Sequence, residues 1–124
     1  MNNKPPRLAT LRFQRAYRLT SDALHTLCCE SGGLKDRLQK IDLEFFSLSK
    51  NELPDIEALR SSFGELHRLV TCKEPRYPHE GRIAATLDQL HHTKLKAISE
   101  LIWNIHMAFL SFMQNDDTEV PQNL

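Results

Sequence analysis

Two arginine–histidine pairs share one spacing. Arg18 and His25 have six residues between them, and so do Arg60 and His67. Seven positions come close to two helical turns, so each pair falls on one face of a helix. Such a pair combines a fixed cation with a titratable imidazole. Asp22-x-x-His25 and Asp88-x-x-His91 each set a carboxylate and an imidazole one turn apart, and His25 is also one turn from Cys28 and Cys29. That spacing is the raw material of a metal site on helices. A di-metal carboxylate bundle uses Glu-x-x-His on two helices and a Glu from each of two others. Here both carboxylates are the shorter Asp, and nothing singles out Glu44, Glu57 or Glu65 to complete the set. There is no Cys-x2-Cys and no His-Glu-x-x-His, and His79-Glu80 lacks the second histidine. No metal or cofactor is expected, and Asp22, His25, Asp88 and His91 stand as weak ligand candidates.

The Arg–His spacing resembles the Arg-x4–6-His motif of the higher-eukaryote-and-prokaryote nucleotide-binding ribonucleases. The resemblance covers two residues of the motif. It implies a helical bundle in which the Arg and His of two subunits line an RNA-cleaving cleft, with Arg18/His25 or Arg60/His67 in those roles. That family often carries a polar residue directly after the Arg. Ser61 fits that pattern after Arg60, whereas Leu19 after Arg18 departs from it. Other catalytic signatures are missing: there is no Gly-x-Ser-x-Gly elbow, and Gly32-Gly33 lacks the phosphate-loop spacing and its Lys-Ser/Thr. Function has to be argued from a site rather than a fold, so the expectation is a protein without catalysis.

Charge is balanced overall and uneven along the chain. Sixteen basic side chains face 16 acidic ones in 124 residues, which argues against a dominant non-specific nucleic-acid binder. Residues 1–20 nevertheless hold Lys4, Arg7, Arg12, Arg15 and Arg18 and no acid, while residues 100–124 hold Glu100, Asp116, Asp117 and Glu119 and no base. Arg7, Arg12, Arg15 and Arg18 are therefore the candidate nucleic-acid contacts, set against a solvated face that pairs with acidic residues. Three cysteines, two of them adjacent, do not make a disulfide framework, and no apolar leader precedes them. A cytoplasmic chain with reduced thiols is expected. Cys28 and Cys29 read as core and near-core thiols.

Four helices with short connections must position these residues. After an N-terminal arm at 1–6, a single helical domain is expected over 7–115, followed by a flexible acidic tail at 116–124. Helix stripes place the elements at about 7–31, 34–48, 54–72 and 79–115. The first carries Phe13, Ala16, Tyr17, Leu24, Leu27 and Cys28, and Gly32-Gly33 ends it. The second carries Leu34, Leu38, Ile41, Phe45 and Leu48, and the third Ile56, Leu59, Phe63, Leu66 and Val70. Gly64 within the third costs up to ~1 kcal/mol relative to Ala, which a close helix crossing would explain. No segment alternates with period two, so the fold class is all-α, a four-helix bundle with antiparallel neighbours and a long C-terminal helix.

That last helix is the dominant element. Its series Ile83, Leu87, Leu90, Lys94, Ile98, Leu101, Ile105, Phe109, Phe112 includes one polar residue, Lys94. Leu95, Ile102 and Leu110 begin a second stripe. From Leu101 to Met113 the helix is apolar nearly all round, interrupted by Asn104, His106 and Ser111, the pattern of a helix covered on every side. The run is shorter than the ~20 residues a membrane span needs. The expectation is self-association, or docking with a helical protein partner, through Trp103, Ile105, Phe109 and Phe112. Nucleic acid is the second partner class, and no membrane is expected.

Overall fold

The computed structural model describes residues 12–118, with side chains as far as Gln114. Arg7 and the arm at 1–6 lie outside the described residues, as do residues 119–124 of the tail. Among the described residues, six helices pack into an all-α, bundle-like fold: α1 (Gln14–Cys29), α2 (Leu34–Gln39), α3 (Leu43–Phe46), α4 (Glu57–Val70), α5 (Arg82–Gln89) and α6 (His92–Thr118). A 3-10 turn at Lys50–Glu52 precedes α4. The long C-terminal helix packs chiefly on α4, then on α1 and α2. It continues through residues 116–118, where a flexible tail was expected.

Six helices replace four because two expected helices are broken, each for a local reason. The stripe expected over 34–48 is buried at Leu38, Ile41, Phe45 and Leu48, yet the helix stops at Gln39. Asp42 restarts it: its carboxylate accepts the Glu44 N–H at 2.9 Å, an N-cap that competes with continuing the helix. The helix expected over 79–115 breaks at Leu90, whose ψ of 147° is extended. The carbonyl of His91 then accepts the first bonds of α6, from Lys94 and Leu95 at 3.0 and 3.1 Å. The break re-phases the apolar stripe. Leu95, Ile98, Ile102, Ile105 and Phe109 are buried and Lys94 is exposed.

Loops do structural work that periodicity does not reveal. Leu53 and Pro54 are buried between the 3-10 turn and α4. The Arg60 guanidinium donates to their carbonyls, from Nη2 to Leu53 O at 3.0 Å and from Nε to Pro54 O at 3.2 Å. Helix α4 therefore starts at Glu57, three residues after the expected Pro54. Arg37 satisfies the end of α1 by donating to Leu27 O at 2.6 Å. Gly32 makes the reversal between α1 and α2 with φ 102°, and a Cβ there would come within 2.9 Å of Asp36 Cβ. Buried Thr86 on α5 holds the preceding loop: its hydroxyl accepts the Lys73 N–H at 3.0 Å and donates to Arg82 O at 2.8 Å.

The core is one cluster drawn from every helix, and in it Phe45 is in edge contact with Phe46 and Phe63, at 5.2 and 5.9 Å between ring centroids. At the other end Phe13 meets Phe112 edge-on at 5.9 Å, and Tyr17 meets Phe109 at 5.6 Å. Leu19, Thr20 and Ala23 are buried on α1 beside the expected stripe. Cys28 and Cys29, expected in or near the core, are exposed and free, as is Cys72. Helix α1 ends at Cys29, and in its last turn Leu27 is buried in the core while Cys28 and Cys29 face solvent.

Candidate functional site

Three surfaces collect the candidate residues. The first is the outward face of α6. Of the four expected contact residues, Ile105 and Phe109 are 0% exposed inside the chain's own core. They are core residues, because the stripe that packs on α4 and α1 runs through them. Phe112 is partly buried against Phe13. Trp103 is 51% exposed, and Met107, one turn on, is 41% exposed. The two stand on the face opposite the buried stripe, flanked by exposed Asn104 and Ser111. Met107 is the i+4 neighbour of Trp103, so the two side chains lie side by side on the helix surface. Behind this ridge, His106 stacks on Tyr17 with 6.1 Å between rings, and its Nδ1 is buried with no hydrogen-bond partner among the described residues.

The second surface is the basic N-terminal helix. Arg12 sits over the Phe13 ring, 5.1 Å from its centroid. Arg15 pairs with Glu44 at 3.2 Å and also with Glu52, tying α1 to α3 and the 3-10 turn. A hydrogen bond from the Ser49 backbone, followed by the Arg15 charge, holds the Glu52 carboxyl below its ordinary range. Arg18 faces Asp22 at 3.4 Å. Two of the candidate phosphate contacts are thus engaged by carboxylates of the same chain.

The third surface lies between the 3-10 turn and α4. Arg60 and His67 line one cleft of about 230 Å3, together with Leu48, Lys50, Phe63 and Gly64. The other Arg–His pair lies on the surface of α1. Arg18 and His25 are both exposed on α1, and Arg18 is turned to Asp22. The metal candidates are not gathered either. Asp22 is on α1 and Asp88 on α5, where Asp88 takes Arg76 at 2.8 Å and Lys35 at 3.9 Å. No group of three or more His, Cys, Asp or Glu side chains among the described residues is disposed to hold a metal ion.

One further network packs the loop before α5. Arg76 pairs with Glu80 through its guanidinium and donates its backbone N–H to Glu80 Oε1 at 2.6 Å. The Arg76 side chain, then its backbone, hold the Glu80 carboxyl below its ordinary range. Glu80 and Asp88 raise Arg76 further above its already high value. Nearby, His79 takes a positive φ of 74°. The charges here neutralise one another, so the network braces the loop.

No family model, no curated protein and no solved structure matches the chain. The resemblance to the nucleotide-binding ribonucleases thus rests on the Arg–His spacing. No helix among the described residues is long and apolar enough to cross a membrane.

Proposed function

We propose that this chain is a non-catalytic α-helical interaction protein that associates with a second copy of itself through the outward face of α6. The observation that carries this reading is the exposure of Trp103 and Met107 one turn apart on a helix whose opposite face is fully used by the core. Trp and Met are enriched in interface cores, and a Trp seated in a partner's surface is a common energetic centre. A two-fold arrangement would set the ridge against its own copy, so each Trp103 could pack beside the partner's Met107, and one patch serves both sides. The three free thiols support a reducing, cytoplasmic setting.

Trp103 is the chain's one tryptophan, so its fluorescence reports this face directly. Emission should move to longer wavelength as the protein is diluted through the dissociation range. A concentration-independent spectrum typical of a water-exposed indole would remove the reading.

The nucleic-acid reading, through Arg7, Arg12, Arg15 and Arg18, has less support, because Arg15 and Arg18 face carboxylates of the chain itself. The ribonuclease reading retains Arg60 and His67 as its better pair, since both reach one cleft.

A further inference from the structure

Gly64 occupies the middle of α4, where glycine is the poorest helix former after proline. The close helix crossing that would explain it is absent: a Cβ built on Gly64 meets nothing within 4 Å. What the missing side chain leaves open is the floor of the cleft between the 3-10 turn and α4. Leu48 and Phe63 provide apolar wall, and Lys50, Arg60 and His67 bring three basic side chains to the same space, with no acid among the lining residues. Lys50 makes no side-chain hydrogen bond or ion pair among the described residues. Arg60 is fixed by its bonds to Leu53 O and Pro54 O, and its Nη1 is 3.5 Å from the exposed carboxylate of Asp55. The two hydrogen bonds engage two of its five N–H donors and hold the guanidinium in a preset orientation.

We infer that this cleft binds a small organic acid, a carboxylate carried on a short apolar body. The apolar wall takes the body, and the Lys50 ammonium and the remaining Arg60 donors take the carboxylate in charge-assisted hydrogen bonds. At about 230 Å3 the cleft falls below the ~300–1,000 Å3 of sites for drug-sized ligands, which fits a ligand of few carbons. Gly64 keeps the floor clear. None of the lining residues belongs to α6, so binding here is separate from assembly through Trp103.

The test is an amide NMR titration of the full chain with hexanoate. Hexanol, which has the body without the charge, and acetate, which has the charge without the body, are the controls. Hexanoate should shift the amides of Lys50, Gly64 and His67 saturably, and each control should bind about tenfold more weakly, the loss of one charge-assisted bond or its apolar equivalent. Gly64→Leu fills the floor and should abolish the shifts at the remaining cleft amides. Lys50→Ala, at an exposed position at the start of the 3-10 turn, should weaken hexanoate about tenfold with the amide spectrum otherwise unchanged. It decides the matter even if Gly64→Leu does not fold. No saturable shift, hexanol equal to hexanoate, or undiminished affinity in Lys50→Ala would overturn the proposal.

Discussion

Trp103 and Phe109 are both large aromatic residues of one helix, six positions apart, and they have opposite roles. Phe109 touches Tyr17 and is wholly buried, whereas half of Trp103 faces solvent. Phe109→Ala should therefore destabilise the fold by about 3–5 kcal/mol, the cost of removing a buried aromatic and leaving a cavity. Trp103→Ala should change monomer stability by no more than about 0.5 kcal/mol, as exposed substitutions do. Urea denaturation of the two variants, with the assembly state monitored, separates them. Gly64 gives the opposite sign. With open space where a Cβ would stand, Gly64→Ala should stabilise α4 by up to about 1 kcal/mol, read as a higher denaturation midpoint with an unchanged slope.

At the scale of elements, the chain is punctuated by caps as much as by glycine and proline. Asp42 restarts the helix that Leu38 and Phe45 share as a stripe. Asp42→Ala should cost about 0.5–2 kcal/mol, measured by thermal denaturation, and should loosen α3 first. The stripes themselves were legible: Leu38, Ile41, Phe45 and Leu48, and Leu59, Phe63, Leu66 and Val70, are all buried as their spacing implies. The breaks were not, because periodicity records which residues face the core and not whether the backbone between them stays helical. One signal for the second break was present. Lys94 was the one polar residue in the series from Ile83 to Phe112, and a continuous helix would have buried it. Breaking at Leu90 shifts the stripe to Leu95, Ile98 and Ile102 and returns Lys94 to water. For the candidate site, the sequence placed Arg60 and His67 on one face of a helix. It could not show that Leu48 and Lys50 close a cleft over them, because that depends on how the 3-10 turn packs. It also gave Ile105 and Phe109 the same weight as Trp103, since a helix apolar all round does not announce which side its own chain covers.

For the molecule as a whole, exposed ion pairs link neighbouring elements, and three carboxyls carry a pH signature. Hydrogen bonds from Ser49, Arg68 and Arg76 respectively hold Glu52, Glu65 and Glu80 below the ordinary carboxylate range. A carboxyl lowered in the folded state contributes stability that is fully present above its unfolded pKa of about 4.3 and is lost as pH falls through the lower folded value. The melting temperature should therefore decline as pH falls below about 4, and Glu80→Gln should make that decline shallower. The central claim concerns what covers the Trp103–Met107 ridge, and absolute mass by light scattering tests it most directly. The measurement is made across a concentration series, on the natural chain and on Trp103→Glu. The account predicts twice the 14.3 kDa chain mass for the natural protein at high concentration. It predicts the single-chain mass, with full helical signal, for the variant. A natural chain that stays at the single-chain mass throughout, or a Trp103→Glu variant that dimerises equally well, would contradict it.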